Sequence, residues 1–125
     1  MSADLDKLND AQLSEVFAVE VLKYPQSATS GPHGRWVHNG ITWMCPSVLD
    51  FASSVDSVLP HVEKFAGHIF ERCFDYERPH VARILPSLMY RETYRQEFRG
   101  QSTTLARAIC IALILAKRAE NGGAK

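Results

Sequence analysis

The chain has 125 residues, zero formal net charge and 46% hydrophobic content, a balance that suits one packed domain and excludes wholesale disorder. Its cysteines, Cys45, Cys73 and Cys110, are odd in number and far apart with no CxxC pair, which argues against a disulfide framework or a zinc site. The longest apolar run, residues 108–116, is too short to span a bilayer, and the acidic opening MSADLDKLND does not read as a secretory signal.

Taken in chain order, the first helix is expected to begin at Asn9 or Asp10, either a good N-cap. Leu13, Val16, Phe17, Val21 and Tyr24 then recur at helical spacing, and Pro25 ends the helix. PQSATSGPHG, residues 25–34, reads as a turn-rich loop. RWVHNGITWM, residues 35–44, reads as a hairpin, with Asn39-Gly40 supplying a type I′ turn between two short runs rich in Trp, Val, Ile and Thr. SSVDSVLPHVEKF predicts a second helix, capped by Ser53 with Asp56 completing a capping box. Pro60 removes one hydrogen bond from it and Gly67 closes it.

HIFERCFDYE, residues 68–77, alternates as a strand with Phe70, Arg72 and Phe74 on one face. A short extended piece is expected near Val81 to Leu85. MYRETYRQEFRG, residues 89–100, sets Tyr90, Tyr94 and Phe98 against Arg91, Arg95 and Arg99. A spacing of four would segregate these sets on a helix too, but the aromatics and the bounding Gly100 favour a strand. STTLARAICIALILAKRA, residues 102–119, is the closing helix, with Asn121-Gly122-Gly123 as its stop. The expected class is α+β: a small, mostly antiparallel sheet of about four strands packed with three helices, in the order α-β-β-α-β-β-α.

Zero net charge hides an uneven distribution. Residues 1–77 hold five Lys/Arg against eleven Asp/Glu, giving −6, and residues 78–125 hold nine against three, giving +6. The split fits either an anion-binding face or two halves that pair with each other, within a subunit or across a dimer. Arg107 sharpens the question. It falls in the first turn of the closing helix, the pole where a cation is least favoured. Ser102, Thr103 and Thr104 precede it, and Arg95 and Arg99 lie on the strand leading in. Together these residues compose a phosphate or carboxylate cradle. Equally, Ser102 or Thr103 could be a plain N-cap, with Arg107 reaching water or an acid elsewhere. Trp36, Trp43, Tyr76, Tyr90 and Tyr94 are candidates for stacking on a base, although core or interface duty competes.

The five histidines show no metal-ligand spacing beside a carboxylate or cysteine, and there is no HExxH, nucleophile elbow or phosphate-binding Gly-rich loop. No metal, cofactor or catalytic residue is therefore assigned. Zero net charge, with Glu92 and Glu97 inside the Tyr/Arg stretch, argues against a nucleic-acid partner.

Three blocks carry a family resemblance. FAVEVLKY (17–24) resembles the opening helix of the phage ABA-sandwich family of small phage proteins. FASSVDSVLPHVEKF (51–65) is similar to that family's Phe-Ser-Thr-Asp-Ile block and the helix that follows it. STTLARAICIALILA resembles its closing helix through Ala108, Ile109, Cys110 and Ala112. Pro60, Ser54 in place of Asp, and the arginine-rich stretch from Arg78 to Arg99 depart from the pattern. The resemblance implies one ABA-sandwich-like domain over residues 1–125. Through the family's anti-Thoeris branch, it implies a homo-oligomer in the host bacterial cytoplasm. Such a protein sequesters a cyclic ADP-ribose isomer or cyclic oligonucleotide without cleaving it. The alternative is a non-enzymatic phage protein that binds a host or phage protein through its arginine-rich face. The family blocks are fold motifs, so the expected ligand contacts rest on the charge argument alone: Arg107, Arg99, Arg95, Ser102, Thr103 and Thr104 for phosphate, Tyr94 and Trp36 for stacking.

Overall fold

A computed structural model describes residues 2–31, 34–45, 48–65, 67–85 and 97–122. Their class is α+β, with four α-helices and two antiparallel three-stranded sheets. The elements are α1 (Ser2–Asp6), α2 (Asp10–Val16) continued by a π-helical turn (Phe17–Val21), and β1 (Gln26–Gly31), β2 (Gly34–His38) and β3 (Trp43–Met44). They are followed by α3 (Val55–Val62), β4 (Gly67–Arg72), β5 (His80–Leu85), β6 (Phe98–Ser102) and α4 (Leu105–Gly122). The expected order is kept in outline. Each expected pair of strands is instead a separate three-stranded sheet, ordered β1-β2-β3 and β4-β5-β6.

Helix α4 is the centre of the molecule. Ala108 to Ile114 are all buried, so this stretch is apolar on every side, as a helix enclosed by other elements must be. It packs on β5 and β6 and also against α1, α2, the π turn and α3. Strand register selects the sheet face that meets it. Ala82 pairs with Gly100 and Ile84 with Phe98, and Phe70 pairs with Ala82, which puts these side chains on one face. All but the glycine belong to the main core cluster. Gly100 is required there: a Cβ would lie 2.1 Å from the Ala108 carbonyl oxygen and 2.7 Å from the Ala112 nitrogen. The helix backbone thus rests directly on β6.

Local chemistry explains the element ends. Asn9 caps α2 in a full capping box: its Oδ1 accepts the Gln12 N–H at 2.8 Å, and Gln12 Oε1 accepts the Asn9 N–H at 3.0 Å. The helix ends ahead of Pro25 as expected, with Lys23 in the left-handed region at φ 61°. The capping box expected at Ser53 does not form. The N-cap of α3 is Ser54, which makes no side-chain capping bond, while Ser53 Oγ donates to the Asp50 carbonyl.

Residues 26–31, expected in a loop, form β1 against β2. Their polar sequence carries no hydrophobic alternation, so the strand is specified by its partner. The hairpin is present, but its turn spans Asn39 to Thr42 and is not a two-residue type I′ turn. Gly40 has φ 95°, whereas Asn39 keeps negative φ and uses Oδ1 to accept the N–H groups of Ile41 and Thr42. Val37 turns inward to pack with Ala18 and Leu49. β4 stops at Arg72, so Phe74 leaves the face it was expected to share with Phe70. The described part of the strand expected over residues 89–100 falls in the strand Phe98–Ser102, and residues 89–96, with Tyr90, Arg91, Tyr94 and Arg95, lie outside the described residues.

Candidate functional site

The positive charge at the start of α4 has an internal answer. Thr104 is the N-cap residue: its carbonyl accepts the Ala108 N–H at 3.1 Å and its Oγ1 accepts the Arg107 N–H at 3.3 Å. Arg107 is only 7% exposed. Its Nε–H donates to Ser102 Oγ at 2.9 Å, and one terminal nitrogen donates to Asp10 Oδ1 at 2.8 Å. The other donates to the backbone carbonyls of Asp6 at 2.9 Å and Leu8 at 2.6 Å, and lies 3.6 Å from Asp6 Oδ1. Ser102, itself buried, donates a hydrogen bond from its hydroxyl to Asp6 Oδ1.

The expected assignment of Arg107 and Ser102 to a ligand is therefore corrected. Two carboxylates from α1 and the start of α2 neutralise the guanidinium, and they also meet the positive pole of α4. Burial of the cation is tolerable because it is paired and its donors are bonded. Thr104 caps the helix, correcting the Ser102 or Thr103 alternatives, and Thr103 is exposed. The network fastens the N-terminal ten residues to the core.

The same logic disposes of most of the charge split. Arg118 makes a two-pronged pair with Glu20 at 2.7 and 2.9 Å. Arg83 reaches Glu71 at 3.0 Å and Glu97 at 2.6 Å, and Arg78 lies 3.8 Å from Asp75. These hydrogen-bonded carboxylates raise the pKa of Arg83 and of Arg118 above the usual guanidinium range. Apart from Arg83–Glu97, every one of these pairs joins the basic half of the chain to the acidic half. All of these contacts are made within one subunit.

Arg99 differs. Strand alternation turns it away from the face that carries Phe98, Gly100 and Ser102. It is exposed, and among the described residues it has no ion-pair partner. It borders an open groove of about 330 Å³ between the start of β6 and the end of α4, lined also by Glu97, Phe98, Leu115, Arg118 and Ala119. With Glu97 held by Arg83 and Arg118 held by Glu20, Arg99 is the uncommitted charge in a lining that also holds the apolar Phe98, Leu115 and Ala119. Trp36 stands on the other sheet and does not join this groove. Arg95 and Tyr94 lie outside the described residues. The expected set thus divides into an internal network (Arg107, Ser102, Thr104), a groove residue (Arg99), and Trp36 and Thr103 apart.

Asp6, Asp10, Leu115 and Arg118 went unread in the sequence. The acidic excess of residues 1–77 was the signal for the first two, because it had to meet the basic half somewhere. Nothing in a linear sequence brings Leu115 and Arg118 to β6.

Cys110 is no nucleophile. Burial pushes its thiol pKa up, and its Sγ donates to the Phe51 carbonyl at 3.0 Å, so it stays protonated. His61 sits edge-on to the rings of Phe17 and Phe51. Burial, helped by Lys64, lowers its pKa. Among the described residues, no group of three or more His, Cys, Asp or Glu is placed to hold a metal ion, and no helix is long and apolar enough to cross a membrane. No protein-family model matches the chain, and no curated protein or solved structure is significantly similar to it.

Proposed function

We propose that this is a phage counter-defence protein of the host bacterial cytoplasm that sequesters a cyclic nucleotide-derived immune signal, a cyclic ADP-ribose isomer or cyclic oligonucleotide, without cleaving it. The phage-protein part of this reading rests on the three sequence blocks quoted above. The site part moves from Arg107 to the groove at Arg99. One observation carries it: an exposed guanidinium with no acid partner among the described residues, beside an open groove with aromatic and aliphatic lining residues. A guanidinium can grip a phosphate through two parallel charge-assisted bonds, and an apolar lining suits the flat base. At about 330 Å³ the groove is at the small end of ligand pockets, which favours a compact cyclic molecule over a polymer. Binding without chemistry fits a groove whose acid, Glu97, is tied to Arg83.

Titration calorimetry with cyclic ADP-ribose isomers and with cyclic di- and trinucleotides tests the proposal. The expected result is saturable heat with one of them, lost at least 100-fold in Arg99→Ala, and recovery of the ligand intact after heat-denaturing the complex. No heat and no thermal shift with any of them removes the idea. The alternative, a protein partner gripped by an arginine-rich face, has less support, because Arg78, Arg83, Arg107 and Arg118 are each ion-paired within the chain.

A further inference from the structure

The Arg118–Glu20 pair links two hollows. Arg118 lines the groove that Arg99 also lines, and Glu20 borders a second hollow of about 210 Å³ with Glu15, Val16, Val19 and Gln26. Each partner is placed by its own element. Leu115, Arg118 and Ala119 are spaced three and four apart, so they share one stripe of α4. Glu20 lies in the π-helical turn, which packs on α4. The widened winding of that turn is closed by the Leu22 N–H on the Phe17 carbonyl at 3.3 Å and by the Tyr24 N–H on the Ala18 carbonyl at 3.0 Å.

Arg118 spends its Nε and one terminal nitrogen on the two oxygens of Glu20, at 2.7 and 2.9 Å. This is the two-pronged geometry in which a guanidinium also holds a phosphate. Glu20 therefore occupies the edge of Arg118 that a phosphate would use. The pair is displaceable: its side chains are 42% and 33% exposed, and an ion pair in contact with water is a weak one. Arg107, only 7% exposed and bonded on every side, is not displaceable in this way. The groove's own acid, Glu97, is matched by Arg83 at 2.6 Å. One arginine of the groove is thus free, and the other is held by an acid that a better partner can replace.

We infer, on the reading of Arg99 as a phosphate-binding residue, that Glu20 is an internal competitor for the groove: a ligand with two phosphate groups takes Arg118 from Glu20 and is gripped by Arg99 and Arg118 together. A ligand with one phosphate meets Arg99 alone and leaves the Arg118–Glu20 pair intact. The ion pair therefore acts as a threshold that selects a diphosphate linkage or two phosphodiesters over a single phosphate. Once released, the Glu20 carboxylate has the second hollow to turn into.

Inorganic pyrophosphate and inorganic phosphate, titrated into the full chain and followed by calorimetry and phosphorus NMR, test this. Pyrophosphate should bind about tenfold more tightly than phosphate, and Arg118→Ala should erase that preference while leaving phosphate binding unchanged. Glu20→Gln should tighten pyrophosphate binding by about three- to fivefold, the scale of a partly exposed ion pair, and the gain should vanish when Arg118→Ala is added. Glu20→Asp keeps the charge on a shorter side chain that loses the two-pronged grip, so it should tighten binding as well. Wild-type affinity in Glu20→Asp beside a gain in Glu20→Gln would reduce the effect to charge repulsion and overturn the inference. A loss of pyrophosphate affinity in Glu20→Gln also overturns it, because the pair would then be a brace that shapes the groove. So does a pyrophosphate preference that survives Arg118→Ala, or no pyrophosphate binding by either the wild type or Glu20→Gln. Arg99→Ala separates the two readings. Binding lost in Arg99→Ala yet indifferent to the Arg118 and Glu20 variants removes the competitor and leaves the phosphate site standing, whereas pyrophosphate binding indifferent to Arg99→Ala removes both.

Discussion

Arg99 and Arg107 are eight residues apart, at the two ends of one strand-to-helix passage, and meet opposite fates. Arg107 enters from the helix side, where Ser102, Asp6, Asp10 and two backbone carbonyls surround it. Arg99 stands on the opposite parity of β6 and faces outward beside a groove. Gly100 lies between them, pressed against α4. Two identical side chains in one basic stretch thus acquire different roles from strand alternation and from where the acidic half of the chain arrives. A charge at the disfavoured pole of a helix is not by itself a sign of a ligand: a carboxylate from the same chain answers it equally well.

The largest effect that separates the two residues is on stability. Arg107→Ala leaves two carboxylates and a buried hydroxyl without their cation. It should destabilise the fold by about 3–5 kcal/mol, toward the low end because the Asp10 side chain is 57% exposed. Urea unfolding measures this; a change below about 1 kcal/mol would mean that the network is ornamental. Next is the residue between them. Gly100→Ala should cost about 3 kcal/mol through overpacking, since its new methyl meets helix backbone rather than a movable side chain, and a thermal melt checks it.

A pH series isolates His61, which is half-buried. The pKa of His61 is depressed below its ordinary 6.5 by burial and by Lys64, so the unfolded chain takes up that proton first as pH falls. Stability should therefore decline as the pH drops below about 6.5, and the part due to this residue should vanish in His61→Leu, read from melts between pH 8 and 5. The smallest effect is the most telling: Arg99→Ala should leave the melting temperature unchanged, because the side chain is exposed and unpaired among the described residues. A drop of several degrees would show that Arg99 is structural too.

The α+β class, the closing helix and the Asn9 cap were legible because each has a local cause, a periodicity or a capping residue, and the extended piece at 81–85 was read in outline. What escaped was set by partners distant in sequence. β1, built of Gln, Ser, Ala, Thr and Gly, is a strand only because β2 lies beside it. The −6/+6 split was visible, and one of its two readings, halves pairing within a subunit, corresponds to the ion pairs observed. Which arginine each acid would meet was not visible, since Asp6 and Arg107 are a hundred residues apart. The groove at Arg99 was reached in part: the arginine was named, but Leu115, Arg118 and Ala119 join it only through the packing of α4 on β6. Phe74 was assigned to a sheet face by alternation, which fails where Asp75 turns the chain.

A double-mutant cycle in urea between Arg107→Met and the paired substitution Asp6→Asn with Asp10→Asn tests most directly whether the Arg107 charge is consumed inside the subunit. A coupling energy of at least about 1 kcal/mol is predicted. Additive losses, with no coupling, would contradict it and return Arg107 to the pool of charges free for a ligand.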